Sequence, residues 1–490
     1  MNKTNIFFTG IAVFFLLTAS FYPLSASRYN VMDYGATGNG KTLDTEAINQ
    51  AVEAAAEAGG GTVYFPAGTY LSFSIQLYDD ISLYLEQGAT LLAADPEIHE
   101  GGYDKVLPNP WDAYQDYGHS HWRNSLIWGE NLSRISILGQ GIIDGQGLRR
   151  WDREETGEGN KAIAFKRCKN VNIKDITIKN GGHFCILATG TDNMTIHNLK
   201  IDTDRDGINV DACHNVRISD CTVNSPNDDA IVLKSSYALG EERATENVTI
   251  TNCQLSGYDM GTLLDGTYQT TQKYAPDKDG PTGRIKFGTE SNGGFKNITI
   301  SNCVFRHCRG LALEIVDGGK LEDVSINNIT MRDIVNAPLF IRLGNRARGP
   351  EGTPVGAIRR VNISDITVYD ADPRYASIIS GIPGYNIEDI RLDNIRIIYQ
   401  GGISMEQVAA QPDSLINTFF FKEEGSKARE PFNTPEKADG YPEPSMFGVV
   451  PAAALYVRHT RGLKVNNFHV SYLKKDERPS VVLKNVNDAS

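Results

Sequence analysis

A nine-residue template recurs after residue 165 and constrains the fold more than any other feature of the sequence. Each copy opens with Asn or another turn-forming or polar residue and then alternates apolar and polar positions. Clear copies begin at Asn170, Asn193, Asn215, Asn247, Asn297, Asp323 and Arg360, and weaker ones at Asp389 and Gly462. Alternation at period two inside a repeat of about 22–25 residues is typical of a β-solenoid, whose coils bury one face of every strand by stacking. We therefore predict an all-β chain folded as a right-handed parallel β-helix.

One strong helical pattern precedes the repeats. Asp44 stands where an N-cap is expected, and Gly59 begins a glycine triplet that should end the helix. Between them, apolar residues recur at helical spacing at Ala47, Ile48, Ala51, Val52 and Ala55. We expect this short helix to cap the N-terminal end of the solenoid.

The N-terminus has the composition of an export signal. Lys3 precedes an apolar run over residues 6–17, and small residues follow up to Ala26. The sequence predicts a signal peptide over residues 1–26 and a periplasmic or extracellular protein, with an uncleaved membrane anchor as the alternative. Residues 27–490 then form a single β-helix domain with insertions near 100–130, 266–284 and 401–451.

Charge narrows the range of partners. The formal net charge of −12 argues against a nucleic-acid partner, which would require a basic face. An anionic substrate would need a local cluster of basic residues. The chain is predicted to act as a monomer, without a membrane span once the signal is removed.

The cysteines follow the repeat. Cys221, Cys253 and Cys303 each lie six residues after a template start, where other copies carry Ile or Leu. We interpret them as stacked interior residues that behave as small hydrophobes, with disulfides or metal binding as the alternatives.

Acidic residues recur in register with the template. His183, Asp206 and Asp228 each lie 13 residues after a template start, so they are predicted to stack ~4.8 Å apart on one face. Asp229 joins them if the backbone turns there. Carboxylates this close raise one another's pKa, and one of them can stay protonated for acid-assisted hydrolysis. A solvated acidic turn or a calcium site would have the same pattern.

These residues resemble the paired motifs of the polygalacturonase family, glycoside hydrolase family 28, in its bacterial pectin-degrading branch. The matching stretches are Asp206-Gly207-Ile208 and Asn227-Asp228-Asp229-Ala230-Ile231. Further similar stretches are Tyr34-Gly35-Ala36, Phe65-Pro66-Ala67-Gly68, Leu83-Tyr84-Leu85-Glu86, Ile143-Asp144-Gly145 and Glu290-Ser291-Asn292-Gly293-Gly294. Together they extend over residues 29–475.

The resemblance implies inverting hydrolysis of α-linked galacturonic acid in pectic chains, with no metal and no cofactor. It assigns Asp228 as the general acid, and Asp206 and Asp229 as the groups that hold and activate the attacking water. Rhamnogalacturonan-derived chains are included in the expected substrates.

Two family motifs are missing. No histidine occurs in either region that could hold the family's Gly-His-Gly, residues 258–261 or 282–284. Glu314 stands where the lysine of the family's Arg-Ile-Lys is expected, and it should repel a uronate. The candidates for substrate-binding replacements are Lys234, Arg284, Lys286, Arg309 and Arg342, each with an ordinary surface role as the alternative. His183 is a further candidate for substrate contact.

The insertion near residues 100–130 is rich in aromatic residues. Six of its residues could form a wall against which sugar rings stack, namely Trp111, Tyr114, Tyr117, His119, His121 and Trp122. Alternatively, the loop could pack on the solenoid with its own aromatics. Long insertions on both sides of a groove would close it into a pocket and favour attack on chain ends.

Two other functions remain open at this stage. A pectate or rhamnogalacturonan lyase on a similar solenoid would hold calcium with its carboxylates. A non-catalytic carbohydrate-binding solenoid would explain the two missing motifs.

Overall fold

A computed structural model describes residues 28–150, 157–422 and 427–490 of the chain. The predicted signal peptide over residues 1–26 lies outside the described residues. Among the described residues, no helix is both long enough and apolar enough to cross a membrane.

The described residues form 32 strands that wind into stacked parallel coils. The first half comprises β1 (Arg28–Asn30), β2 (Asn39–Leu43), β3 (Gly61–Phe65), β4 (Gly68–Ser72), β5 (Ile75–Gln76), β6 (Ile81–Leu85), β7 (Ala89–Ala93), β8 (Ser125–Glu130), β9 (Ser133–Gly139), β10 (Ile142–Asp144), β11 (Lys161–Lys166), β12 (Lys169–Lys174), β13 (Thr177–Lys179), β14 (Phe184–Thr189), β15 (Asp192–His197) and β16 (Lys200–Asp202). The second half comprises β17 (Ile208–Asp211), β18 (His214–Ser219), β19 (Thr222–Asn224), β20 (Ile231–Ser235), β21 (Thr245–Thr251), β22 (Gln254–Ser256), β23 (Ile285–Ser291), β24 (Phe295–Cys308), β25 (Leu311–Ile315), β26 (Lys320–Ile334), β27 (Leu339–Leu343), β28 (Ala357–Ala371), β29 (Ser377–Ser380), β30 (Ile387–Gly401), β31 (Leu455–Lys474) and β32 (Val481–Asn487).

Pairing between coils divides the strands into three stacks. The first stack runs β5–β8–β11–β14–β17–β20–β23–β25–β27–β29–β31. The second stack includes β9–β12–β15–β18–β21, and the third includes β7–β10–β13–β16–β19–β22. From β24 onward, the second and third stacks share long strands. The first of these, β24, pairs with both β21 and β22. The predicted right-handed parallel β-helix is confirmed.

The interior is an apolar core built from one ladder per inward-facing position. In the second stack, Val171, Met194, Val216, Val248 and Ile298 pair in register, and each is essentially fully buried. Truncating such a residue to alanine leaves a cavity and costs about 2–5 kcal/mol.

The cysteines belong to this core, as predicted. All seven are buried and free, and Cys303 pairs in register with Ile329 of the next coil. They occupy apolar positions and form no disulfide.

The template asparagines are turn residues. Asn170, Asn193, Asn215, Asn247 and Asn297 have φ between 52° and 59°, a left-handed conformation that Asn tolerates better than most residues. The side-chain amide of Asn193 donates to the side-chain oxygen of Asn170 at 3.2 Å, and the side-chain amide of Asn215 donates to that of Asn193 at 3.1 Å. Their role is structural.

The N-terminal helix is α1 (Thr45–Glu57), and its buried residues are Ile48, Ala51, Val52 and Ala55. Asp44 holds the N-cap position, but its side chain makes no cap hydrogen bond. Its carboxylate accepts the backbone N–H of Thr37 at 2.7 Å and that of Gly38 at 3.1 Å. The predicted helix is confirmed, whereas the predicted capping by Asp44 is wrong, because the preceding turn engages its carboxylate.

Three insertions interrupt the coils. The segments between strands at 94–124, 257–284 and 402–454 carry the remaining helices, which are α2 (Met405–Ala410) and the 3₁₀ turns Asp112–Tyr114 and Pro444–Phe447. A further 3₁₀ turn, Val31–Tyr34, precedes α1. All three insertions reach the site described next.

Candidate active site

Three carboxylates meet where the turns after the third stack enter the first stack. Asp206 lies in the turn 203–207, and Asp228 and Asp229 lie in the turn 225–230 of the next coil. One oxygen of each lies within 4.8 Å of an oxygen of the other two. Asp206 and Asp229 are buried, and Asp228 is the most exposed of the three, with 28% of its side chain accessible.

The predicted ladder of His183, Asp206 and Asp228 is wrong by one residue. Ile208 pairs with Ile231, and the Gly207 N–H donates to the Asp229 carbonyl at 3.0 Å, so Asp206 lies beside Asp229. Between positions paired in register, the chain advances nine residues from Thr177 to Ile186, eight from Lys200 to Ile208 and nine from Thr222 to Ile231, and counting from the template could not detect this difference.

The neighbour of Asp228 in register is therefore Arg205. Its guanidinium forms an ion pair with the Asp228 carboxylate at 2.8 Å, and His183 lies across from Arg205 on the preceding coil. The Asp229 N–H donates to Asp228 at 3.0 Å and to Asp206 at 3.3 Å. The prediction that His183, Asp206, Asp228 and Asp229 share one face holds, despite the shift in register.

The environment separates the pKa values of the carboxylates. Burial, followed by the charge of Asp228, raises the pKa of Asp206 well above its usual range. Burial also opposes ionisation of Asp228, but the neighbouring Arg205 and the hydrogen bond with Asp206 outweigh it and lower the pKa of Asp228. The site therefore favours one shared proton on the Asp206–Asp228 pair, held mainly by Asp206.

These carboxylates line a pocket of about 640 Å³. It also contains five of the predicted substrate-binding residues, namely His183, Lys234, Arg284, Lys286 and Arg309. All five are at least 95% buried, so the alternative of ordinary surface residues is wrong. Their substrate-binding role stays a prediction.

Arg284 connects the carboxylate trio to the third insertion. Its Nε donates to Asp229 at 2.9 Å, and its two terminal nitrogens donate to Glu443 at 3.0 and 2.8 Å. Arg309 approaches the same Glu443 carboxylate at 3.2 Å. Burial would raise the pKa of Glu443, but the two arginines hold it at about 2, so Glu443 stays ionised. All three side chains are buried.

Lys286 has a looser environment. Its ammonium lies 3.7 Å from Asp229 and 3.6 Å from Glu314, and it donates to the Tyr441 hydroxyl at 3.3 Å. The pKa of Lys286 is raised because Glu314 and Tyr441 outweigh the effect of burial.

Glu314 does not line the pocket. It is fully buried next to Lys286, and neither of its carboxylate oxygens has a hydrogen-bond partner among the described residues. The prediction that Glu314 occupies a substrate-binding position and repels a uronate there is wrong, since Lys286 of the preceding coil, and not residue 314, lines the pocket.

Lys234 and the first insertion form the opposite wall. The Lys234 ammonium pairs with Glu290 at 2.7 Å, and the Asp116 N–H donates to the other Glu290 oxygen at 2.9 Å. His119 lines the pocket, and its Nδ1 lies 3.1 Å from the Asp116 carbonyl. Because a carbonyl only accepts, Nδ1 carries the hydrogen and Nε2 presents a lone pair. Burial and the nearby Lys234 lower the pKa of His119 to about 3, so the ring is neutral.

Trp111 and His121 lie elsewhere. They line a separate depression together with Lys166 and Arg167. This depression shares no described lining residue with the carboxylate pocket. Trp111 packs against Tyr114 and Tyr237, with ring centroids 6.2 and 5.2 Å apart. The prediction that these two residues contact substrate in the active site is wrong, because the insertion packs them down onto the solenoid.

Arg342 is also outside the pocket. It is fully buried and donates to the backbone carbonyls of Glu436 and Lys437, each at 2.9 Å. Its contacts secure the third insertion on the solenoid, and it is not a surface residue.

Several pocket residues were missed. Arg205 stands within the acidic motif itself, and its position between two aspartates was a usable signal. Tyr441 and Glu443 come from the third insertion, and no periodicity places an insertion over a particular coil, whereas Tyr117 and His119 of the predicted aromatic wall do line the pocket.

The carboxylate trio is also the one group of three His, Cys, Asp or Glu side chains, among the described residues, close enough to share a metal ion. The pocket around it contains Arg205, Lys234, Arg284 and Lys286. Four basic groups already offset the negative charge, which disfavours a divalent cation there.

Sequence comparison relates the chain to known enzymes. Residues 112–262 match the profile of glycosyl hydrolases family 28, and residues 28–99 match rhamnogalacturonase A/epimerase, pectate lyase-like. A probable polygalacturonase of Vitis vinifera is 27% identical over 398 residues, which cover 76% of this chain and 74% of that protein. An exo-poly-alpha-D-galacturonosidase of Dickeya chrysanthemi is 26% identical over 65% of this chain, and the match spans about half (53%) of that protein.

Solved structures share the fold. The Yersinia enterocolitica family 28 exopolygalacturonase superposes with a TM-score of 0.65 at 18% identity, covering 95% of this chain and 78% of that one. The Thermotoga maritima exopolygalacturonase superposes with a TM-score of 0.60 at 20% identity, covering 76% and 87%.

Proposed function

Since this chain is a glycoside hydrolase of family 28, we propose that it hydrolyses α-linked galacturonic acid in pectic oligosaccharides and polysaccharides, including rhamnogalacturonan-derived chains. The observation that carries this proposal is the trio of Asp206, Asp228 and Asp229 inside a pocket lined by basic groups. Carboxylates supply the acid and base for cleavage of a glycosidic bond, and the basic groups suit an anionic sugar.

In this proposal Asp228 is the general acid. It is the most exposed of the trio, and it shares a proton with Asp206. Arg205 keeps Asp228 ionised in the empty pocket. A substrate carboxylate that draws Arg205 away would raise the pKa of Asp228 and transfer the shared proton to it.

Bond breaking and bond formation balance in this reaction. Asp228 gives its proton to the glycosidic oxygen as the C1–O bond breaks, and water attacks C1 from the opposite face. Asp206 and Asp229, adjacent in register, hold that water and accept its proton.

Lys286 is the best candidate for the missing uronate-binding lysine. Lys234 and Arg284 each make an ion pair with a carboxylate at 2.9 Å or less, whereas Lys286 approaches no carboxylate of the described residues closer than 3.6 Å. An ammonium without a short ion pair can turn toward a substrate carboxylate at less cost. Lys422 is an additional cation at the exposed rim.

The shape of the pocket favours chain ends. Tyr117 and His119 from the first insertion, Asp277 from the second and Tyr441 from the third all line it. Walls from three insertions leave little room for a polymer to pass through. Incubation with polygalacturonate should release monomer or dimer from the start while viscosity falls slowly. A rapid loss of viscosity with little reducing sugar would contradict exo-action.

We propose inversion at C1, as the resemblance implies. The carboxylate oxygens lie closer together than the ~6.5–9.5 Å usual for inverting enzymes. The water must then lie beside Asp206 and Asp229, and not between acid and base. Proton NMR of the first product formed decides the question: a β-anomer supports inversion, and an α-anomer indicates a covalent intermediate.

The same assay tests hydrolysis itself. Reducing sugar should form from galacturonate oligomers in the presence of EDTA. An unsaturated product whose ultraviolet absorbance disappears with EDTA would identify a lyase and overturn the proposal.

Export and a monomeric state belong to the same proposal. The apolar run over residues 6–17 supports export. Expression of the full chain in a bacterial host should yield a periplasmic or secreted protein that starts near residue 27 by N-terminal sequencing. Light scattering should give about one chain per particle.

A further inference from the structure

A second groove, separate from the carboxylate pocket, runs along the outside of the third stack. Its volume is about 820 Å³, and its floor consists of outward-facing residues of successive coils. Thr177, Lys200, Thr222, Gln254 and Val304 follow one another in register along this floor. It shares no lining residue with the active-site pocket.

The groove differs in charge from the chain as a whole. Lys200, Arg306 and Arg332 line it, and none of its lining residues is Asp or Glu. The chain has a formal net charge of −12. Three basic groups without an acidic one therefore form a local positive surface, which complements an anionic partner.

One wall is aromatic and apolar. Tyr258 and Tyr268 lie with ring centroids 5.5 Å apart, and Leu263 and Leu264 adjoin them. Tyr268 is 54% exposed. An exposed aromatic ring beside guanidinium groups suits an anionic sugar, whose C–H face packs on the ring while its carboxylate pairs with arginine.

Hydrogen bonds hold this wall in place. The Asp202 carboxylate accepts the backbone N–H groups of Gly261, Leu263 and Leu264 at 3.0–3.2 Å. The Asn224 side chain accepts the Tyr258 N–H at 2.8 Å. Side chains of the third stack thus fix the loop, and the groove exists before any ligand arrives.

We propose that this groove is a second binding site for a uronate-bearing polysaccharide. The uronate class rests on the proposed function, whereas the groove and its charge do not. The segment 257–284 contributes Tyr258 and Tyr268 to the groove and Asp277 and Arg284 to the active-site pocket. A chain held in the groove stays next to the pocket, which raises the local concentration of ends.

The test uses the full chain carrying Asp228→Asn, which prevents turnover. A galacturonate hexamer is titrated by calorimetry, and two binding events are expected. Adding Arg332→Glu or Tyr268→Ala should weaken one event about tenfold and leave the other unchanged. In the active parent, the same two changes should raise KM for polygalacturonate and leave hydrolysis of a galacturonate dimer unchanged.

Matched controls separate the groove from general charge. Arg396→Glu makes the same charge change on an exposed residue of the same outward ladder, three coils beyond Val304, and Tyr385→Ala removes another exposed tyrosine. Both should bind like the parent. Equal weakening by Arg396→Glu, equal binding of polyglutamate or of a neutral xylose hexamer, or a single binding event would overturn the proposal. Hexamer binding lost with Arg332→Glu supports the groove even if no sugar is hydrolysed, so the two proposals fail separately.

Discussion

The carboxylates and the cations of the pocket are held in place in different ways. Asp206, Asp228 and Asp229 stand on turns of two adjacent coils, and the pairing of those coils brings them together. Arg284 and Arg309 are fixed by Glu443, which follows Arg284 by 159 residues and comes from an insertion. The acid–base geometry thus depends on local register, while the binding surface depends on a buried ion network that spans the chain.

The two kinds of support differ in energetic risk. A strand register is secured by many backbone hydrogen bonds, so one side chain can change without moving its neighbours. A buried ion pair is costly to break, because the remaining charge has no partner in a medium of low polarity. A change to Asp228 should therefore alter chemistry alone, whereas changes to the cation network, to which Asp229 also belongs, should alter stability as well.

The largest expected effect is on chemistry without loss of folding. Asp228→Asn should lower kcat by about 10³-fold, because the amide cannot deliver a proton to the leaving oxygen. The melting temperature should change little. Initial rates on a galacturonate oligomer and a thermal melt check both points.

Asp204→Asn is the matched control, since Asp204 lies in the same turn and accepts a hydrogen bond from Asn227 at 2.7 Å. It should retain most of the activity. A comparable loss in this variant would mean that the turn, and not the acid, was damaged.

Glu443→Gln should have the next largest effect, and on stability. It leaves Arg284 and Arg309 without their shared counter-charge, which costs about 3–5 kcal/mol of unfolding free energy. Activity should fall as well, because Arg284 also holds Asp229. Urea unfolding measures the first effect and kinetics the second.

Glu430→Gln in the same insertion is the control, because Glu430 is exposed. Its stability should stay within about 1 kcal/mol of the parent. If both variants unfolded alike, the insertion as a whole, and not the buried pair, would be responsible.

The repeating part of the molecule could be predicted from the sequence. Alternation in the templates predicted the strands, the cysteines Cys221, Cys253 and Cys303 fell in the core, and the resemblance to family 28 picked out the carboxylates. Counting failed only where the spacing between positions paired in register changes by one residue, which moved the neighbour of Asp206 from Asp228 to Asp229.

The positions of the insertions, which do not repeat, could not be predicted from the sequence. Glu443 could not be placed from the sequence, because an insertion can fold over any nearby coil and its position depends on contacts distant in sequence. Trp111 was misplaced for the same reason. The burial of Lys286 against Glu314 depends on two coils at once, so neither residue's own segment revealed it.

A third prediction concerns pH and the cation side of the site. Burial raises the pKa of Glu314 to about 7 from 4.5. The folded state then binds a proton more tightly than the unfolded state, so this group destabilises the fold as pH rises from about 4.5 through 7. Relative to the parent, Glu314→Gln should gain on the order of 2–3 kcal/mol of unfolding free energy as the pH is raised from 5 to 8.

Urea unfolding at several pH values measures that difference. A gap between parent and variant that does not change with pH would show that Glu314 stays ionised in the fold. Asp317→Asn is unsuitable as a control, since Asp317 pairs with Arg346. Glu351→Gln is a suitable one because Glu351 is exposed, and it should show no pH-dependent gap.

A fourth prediction tests whether an insertion supplies a substrate contact. The neutral His119 lines the pocket, and its Nε2 is buried and has no hydrogen-bond partner among the described residues. We expect it to accept a sugar hydroxyl. His119→Phe should raise KM for a galacturonate oligomer about three- to tenfold with little change in kcat, and His119→Gln should restore part of the loss.

The smallest expected effect completes the comparison within one insertion. His121 is two residues from His119, but it lies 3.3 Å from Asp112 and lines a different depression. His121→Phe should change KM and kcat for the same oligomer by no more than about twofold. Because both substitutions replace histidine by phenylalanine in one loop, any general disturbance of the loop would affect them equally. Equal losses in the two variants would mean that the insertion acts only as a wall, whereas a loss confined to His119→Phe assigns the contact to a single nitrogen atom.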